Sequence, residues 1–338
     1  MNAYKQHPLL EVSRDSSRND ANEPENNQAL GKEPDPSRRL RRRIGSFLYP
    51  MKNRLERPLV ERRLRKLGVK QVQFDQPSII CYGQKGFGGD IFLNQILGTL
   101  GRLDTVMCFG CGMGDEMALV ARRLKPKRIM GCDYFSYKSA WDDVKRQVES
   151  DLDVAVDFEQ IDLRKPAHGR LGNADLVISF AVLEHLRDMD VCFEQIKGFM
   201  GDGGWFASQW GPMWYSYSGD HISAELGFKA GYQHLLLSAE EYLDYYKNHP
   251  RNRAGVLAGR PTWLELGLHN FARYEEYLAA IQKWFGPVCF LKWQLSSEAF
   301  RFAKLYPQDW VKILGLYPGL TSLDLLLGGA AVLASNER

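Results

Sequence analysis

The chain has 338 residues, 44% hydrophobic and 12% aromatic, enough to bury a large core, which excludes a chain disordered as a whole. Its formal net charge of +3 hides a split: residues 38–70 hold 13 basic and 2 acidic side chains, residues 1–37 hold 4 and 7, and residues 71–338 hold 27 and 32. The acidic body argues against an extended nucleic-acid track, and no apolar run reaches the roughly 18 residues that span a bilayer.

The N-terminal stretch lacks the apolar core of a signal peptide and is too acidic for a transit peptide. Six cysteines at 81, 108, 111, 132, 192 and 289 form no disulfide framework, so a reduced, cytoplasmic setting is expected. Residues 1–37 are polar and read as a disordered tail. In 38–74, Ile44, Phe47, Leu48, Met51, Leu55, Leu59, Leu64 and Leu67 recur at helical spacing among Arg and Lys. Pro58 suits the first turn of a helix and Gly68 its end. This segment is expected to be a basic amphipathic helical arm. Packing against the body or a partner subunit, or an anionic membrane surface, fits it better than nucleic acid.

From 75 to 338, strands and helices alternate. Strands are expected at Thr105–Phe109, Arg128–Cys132, Val154–Phe158, Asp175–Phe180, Gly204–Gln209, Val288–Leu295 and Ala330–Ala334. Helices are expected at Asp115–Leu124, Tyr137–Glu149, Leu183–Met200 and Asn270–Phe285, and Ser238-Ala-Glu-Glu241 is spaced as a capping box. The pattern predicts an α/β fold: a doubly wound, mostly parallel seven-stranded sheet with helices on both faces. Between the fifth and sixth strands, 210–287 carries 15 of the 40 aromatics and four of the seven histidines. It reads as an aromatic-rich helical insertion, either a core of its own or a lid over a ring-shaped ligand.

Three glycines, 110, 112 and 114, follow the first of these strands and precede the helix at Asp115. Such a junction turns sharply and lets a ligand approach the backbone. The spacing misses the dinucleotide fingerprint, which needs Gly at 115, and an acid there would repel a pyrophosphate. The glycine segment Gly83–Asp90 is no P-loop, since no G-K-[ST] closes it. The loop therefore favours a nucleoside ligand without phosphates. Asp133 ends the next strand, where a carboxylate can accept two ribose hydroxyl protons. Asp162 follows the third strand, and Phe180-Ala-Val-Leu-Glu-His185 closes the fourth.

In this order the motifs resemble those of the class I S-adenosylmethionine-dependent methyltransferases, clearly over 100–209. The resemblance implies the cofactor S-adenosyl-L-methionine. Its methionine part would lie on Phe109-Gly110-Cys111-Gly112-Met113-Gly114, and its ribose on Asp133. Its adenine would lie beside Tyr134, with Asp162 and Leu163 at the edge. Phe180 would flank donor and acceptor. Gly201-Asp-Gly-Gly-Trp-Phe206 resembles the family's turn into the fifth strand. Where the family usually carries Asp or Glu, this chain has Cys108, which implies either a lower cofactor affinity or an ammonium held by backbone carbonyls and water.

In-line methyl transfer from a sulfonium mainly requires positioning, but a hydroxyl acceptor also needs a base. His185 is the first candidate, His221 in Ser218-Gly-Asp-His221 the second, with Glu184 beside them; His234 ranks third. The expected acceptor is a small molecule or a sugar-like hydroxyl. An Asn/Asp-Pro-Pro-Tyr run is missing after the fourth strand, which argues against methylation of DNA bases or glutamine. Cys108-Phe-Gly-Cys111 with Cys132 lacks the second pair of a structural zinc site, so no metal is expected. The competing readings are an RNA or protein methyltransferase docked through the arm, and a non-catalytic binding module.

Overall fold

The computed structural model describes residues 58–69, 78–82, 89–163, 165, 173–250 and 267–337. The expected tail, the first part of the basic arm, the glycine segment 83–88 and residues 251–266 of the insertion lie outside the described residues.

All seven expected strands form, and an eighth joins them at one edge. In chain order they are β1 (Ser78–Tyr82), β2 (Thr105–Phe109), β3 (Arg128–Asp133), β4 (Ala155–Gln160), β5 (Ala174–Phe180), β6 (Met200–Trp210), β7 (Val288–Leu295) and β8 (Leu327–Ser335). They make one sheet in the order β1-β7-β8-β6-β5-β2-β3-β4. Only β8 runs antiparallel to its neighbours, β6 and β7. β2 lies between β3 and β5, so the chain builds one half of the sheet outward through β3 and β4, then crosses back. The loop after β2 therefore sits at the topological switch point, where open α/β sheets bind ligands.

The strands read as near-continuous apolar runs because both faces of the sheet are covered. Val106, Cys108, Ile129, Leu176 and Ile178 face one buried cluster. Met107, Phe109, Met130, Val177 and Phe206, alternating with them, face the other. The first face is covered by helices α2 (Gly89–Leu100), α3 (Asp115–Leu124) and α4 (Lys138–Leu152). The second is covered by α5 (Met189–Phe199) and Tyr274–Trp284, where Phe206 stacks on Phe285 at 4.4 Å and Phe193 meets Phe285 edge-on. Each such aromatic pair adds about 0.5–1.5 kcal/mol beyond the area it buries.

The first helix in chain order, α1 (58–66), covers the end of the expected arm. Val60 and Leu64 are buried in the second cluster, and the Ser322 hydroxyl donates to the Leu67 carbonyl at 2.7 Å. This part of the arm packs on the body, with Arg62, Arg63, Arg65 and Lys66 exposed.

The helix expected over Leu183–Met200 is broken. Leu183–His185 forms a single 3-10 turn, and α5 begins only at Met189, where the Asp188 side chain accepts from the Val191 N–H. Asp188 caps more favourably than it continues a helix. The result is a short irregular segment that carries Glu184 and His185 out of the helix.

In the described parts of the insertion, most aromatics point inward. Trp214, Tyr232, Tyr242, Tyr246 and Tyr277 are buried. The capping box forms in both directions, Ser238 with Glu241, and opens Ala239–Asn248. Buried Asp220 anchors this region: it accepts from the Ser223 N–H and Oγ and from the Tyr242 hydroxyl, and faces His234 Nδ1 at 3.8 Å. Asp220→Ala strands these donors without an acceptor. A loss of about 3 kcal/mol or more in urea unfolding is expected, and a loss under 1 kcal/mol would show the network to be dispensable.

Candidate active site

The glycine loop is held from several sides. Gly110, Gly112 and Gly114 have φ of 61°, 52° and 98°, the left-handed region open to glycine. A Cβ on Gly110 would lie 2.3 Å from Val182 Cγ2, whereas one on Gly112 would meet nothing within 4 Å. The loop is thus pressed against the 181–185 turn at its start and opens onto free space at Gly112. The Gly112 N–H donates to Asp133 Oδ2 at 2.8 Å, and its carbonyl accepts from Trp141 Nε1 at 2.8 Å. Trp141 in turn stacks on Phe158 at 5.1 Å.

Asp133 is the hub. Its Oδ1 accepts from the Phe135 N–H at 2.9 Å and the Tyr134 N–H also bonds the carboxylate, so three backbone donors hold it and part of its lone-pair capacity stays for a ligand. Burial pushes its carboxyl up, and the N–H bonds from Phe135, Gly112 and Tyr134 pull it back. Tyr134 is 47% exposed beside the loop, and Gln160 Nε2 donates to its carbonyl. Asp162 and Leu163 are half-buried at the end of β4, with Lys165 Nζ 3.8 Å from Asp162. Phe109 contributes backbone only, because its ring is buried against Phe206. Burial raises the thiols of Cys108, Cys111 and Cys132 far above their ordinary range, so they are protonated. Cys111 holds the loop through its backbone, its N–H donating to the Cys132 carbonyl.

Next to this loop lies a cavity of about 600 Å³ at the carboxyl ends of β5 and β6. Glu116, Phe180, Ala181, Trp210, Tyr217 and Ser218 are among its walls. Its size suits a small molecule. Phe180 is fixed edge-on against Phe92 at 5.8 Å.

Behind the Gly211-Pro212 wall, the structure brings together side chains from three separate segments. Glu184 is 1% exposed; its Oε1 accepts from the Gly211 N–H at 3.0 Å, while Oε2 has no hydrogen-bond partner. Burial raises its carboxyl to about 7. His185 Nδ1 lies 2.5 Å from the Leu268 carbonyl. Its ring centroid is 5.1 Å from that of His221 and 5.4 Å from that of His269. Burial lowers the pKa of His185 and takes that of His221 to about 4, so both rings are neutral near pH 7. The 267–272 loop is tied to the 183–185 turn: the Asn270 N–H donates to the Glu184 carbonyl and Asn270 Nδ2 to the Leu183 carbonyl.

Of the six non-glycine residues with positive φ among the described residues, two are helix C-caps. The other four, Ala181, Ser218, His221 and Phe271, lie around this histidine cluster. Backbone strain collected this way marks a site the rest of the fold holds in place.

His185, His221 and Glu184 thus come together as a group. His234 does not join them; its Nε2 bonds the Trp214 carbonyl and it serves the Asp220 network. Sequence reasoning missed His269. The only available signal was the excess of histidine in 210–287, because its approach to His185 is purely tertiary.

Residues 107–206 match the family model described as a methyltransferase domain. No curated protein matches the chain. Among solved structures, a geranyl diphosphate C-methyltransferase from Streptomyces coelicolor A3(2) is 14% identical, over 72% of this chain and 79% of that one, with a TM-score of 0.41. The N-methyltransferase NodS from Bradyrhizobium japonicum WM9 is 11% identical over 74% and 86%, at 0.40. A methyltransferase from Mesorhizobium loti is 17% identical over 73% and 98%, at 0.42.

Proposed function

We propose that this chain, a class I S-adenosylmethionine-dependent methyltransferase by its matching domain and sheet order, methylates a hydroxyl oxygen of a small-molecule or sugar-like acceptor. The carrying observation is the neutral imidazole pair His185–His221, at the exit of β5 and directly behind the wall of the 600 Å³ cavity. A hydroxyl must lose its proton to become a good nucleophile, and of the two neutral imidazoles His185 is the candidate acceptor, because burial takes His221 to about 4 and makes it a weak base near pH 7. An amine acceptor would need no such group.

The residues of the glycine loop fit the cofactor. Gly112 offers open space where any other residue would place a Cβ, and Asp133 keeps part of its acceptor capacity beside three backbone donors. S-adenosylmethionine supplies an already activated methyl group. Asp133 would hold the ribose hydroxyls, Tyr134, Asp162 and Leu163 the adenine, and Gly110–Gly114 the methionine part. Phe180 and the cavity would hold the acceptor oxygen in line with the methyl carbon, and His185 would take its proton.

Labelled cofactor, added with the protein to fractions of cell extract, is expected to place label in a small molecule or glycan as an O-methyl ether. An N- or C-methyl product would overturn the reading. His185→Ala is expected to lower turnover by ~10²–10⁴-fold with cofactor affinity unchanged in calorimetry; an unchanged rate would remove His185 from catalysis.

Among the described residues no helix is long and apolar enough to cross a membrane. We place the protein in the cytoplasm, with segment 38–70 on an anionic membrane surface or a partner subunit. The buried thiols and the run of exposed Arg and Lys on helix 58–66 support that placement.

A further inference from the structure

The geometry points to a binding site for a divalent transition-metal cation of the zinc type, formed by Glu184, His185 and His221, with His269 as a fourth ligand. One potential ligand atom from each of the first three lies within 4.8 Å of the other two. Around a tetrahedral ion with bonds of ~2.1 Å, ligand atoms sit about 3.4 Å apart, so modest ring rotations close the set.

Three further observations point the same way. His269 is 1% exposed, neither of its ring nitrogens has a hydrogen-bond partner, and its centroid is 5.4 Å from both His185 and His221. Glu184 Oε2, also buried, has no partner. Buried polar atoms left unsatisfied in this way call for an explanation, and a bound ion supplies one for both residues at once. The other ring contacts are those expected of metal-bound imidazole, whose second nitrogen donates to a backbone carbonyl and fixes the tautomer. His185 Nδ1 faces the Leu268 carbonyl, and the Pro212 carbonyl holds the ring of His221. Glu184 is fixed in the same manner by the Gly211 N–H.

The donor set selects the ion. Imidazoles with one carboxylate suit zinc, cobalt or iron, whereas magnesium and calcium demand oxygen ligands. The protonated, buried cysteines lie with the glycine loop and form no part of the set. The proposal rests on the O-methylation reading only for what the ion does: an acceptor hydroxyl entering as a fifth ligand would be acidified and lose its proton to water, and the imidazoles, with their lone pairs on the ion, would hold the metal instead of taking that proton themselves.

The test is metal binding by the full chain, stripped with chelator and titrated at neutral pH with Zn²⁺, Co²⁺ or Mg²⁺. One Zn²⁺ or Co²⁺ per chain is expected, with visible cobalt d–d absorption and no near-ultraviolet thiolate charge-transfer band. Glu184→Gln, His269→Gln and His221→Asn should each weaken binding at least tenfold. Asn tolerates the left-handed backbone at 221, so His221→Asn carries the test should Glu184→Gln fail to fold. No binding of Zn²⁺ or Co²⁺ would overturn the proposal. So would a thiolate band, a preference for Mg²⁺, or unchanged affinity in folded variants. S-adenosylhomocysteine binding, measured in parallel, reports separately on the cofactor site and stands or falls without the metal.

Discussion

Asp133→Ala is expected to weaken S-adenosylmethionine binding by ~10²–10³-fold in calorimetry. A carboxylate accepting two ribose hydroxyls makes two charge-assisted hydrogen bonds, worth about 1.5–3 kcal/mol each. The same side chain accepts from the N–H groups of Gly112 and Phe135. Its removal also frees the backbone at Gly112, so part of the loss comes from a loosened cradle. Asp133→Asn separates the two contributions: the amide keeps one acceptor for the backbone but presents N–H groups where an acceptor is needed. Both variants are expected to remain folded, since the carboxylate lies at the carboxyl end of β3 and supports no core aromatic. Unchanged affinity in Asp133→Ala would sink the assignment of the ribose site.

Gly110→Ala has the second large effect, on stability as well as binding. Position 110 has φ of 61°, which costs a non-glycine residue about 1–2 kcal/mol. The added methyl also meets Val182 Cγ2 at 2.3 Å and Cγ1 at 2.8 Å, distances no carbon pair sustains. Either the glycine loop or the 181–185 turn must move. Because the proposed function gives the cofactor contacts to one and the proton acceptor to the other, which carries Glu184 and His185, both cofactor affinity and turnover are expected to fall, with the melting temperature lowered by several degrees. Val182→Ala in the same chain relieves the clash but not the backbone strain. The two substitutions should therefore be non-additive, and the double variant should recover part of the loss. A neutral Gly110→Ala, or strict additivity, would show that the two segments are not in register through this contact.

The glycine loop and the place of Asp133 beside it were legible because their determinants are local. A strand, three glycines and a helix start occupy eleven consecutive residues, Thr105 to Asp115, and Asp133 follows at the end of the next strand. Strands buried on both faces likewise announce themselves as apolar runs, as in Asp175–Phe180. The helix Gly89–Leu100 was less visible: Phe92, Leu93 and Ile96 have helical spacing, but glycines at 89 and 98 break the pattern. The break after His185 depended on whether Asp188 would cap a new helix or continue an old one, which its tertiary setting decides. The histidine cluster was least legible. Its members come from the β5 exit, the 218–221 turn and the 267–272 loop, and only packing makes them neighbours. Aromatic content in 210–287 pointed equally to a core or a lid, and burial of Trp214, Tyr232 and Tyr277 shows the described part to be largely core.

The position of β8 has a consequence for biosynthesis. Residues 327–335 lie in the interior of the sheet, between β6 and β7. While the ribosome is still making the segment before them, the half that holds Asp133 can pair β2 through β6, but β7 and β1 can pair only with each other and not with that half. The nascent protein therefore carries an open edge at β6 until one last antiparallel strand slides in and closes two ladders together. A chaperone that shields β6 during that interval would raise the yield of soluble protein more than one that acts at the cofactor loop.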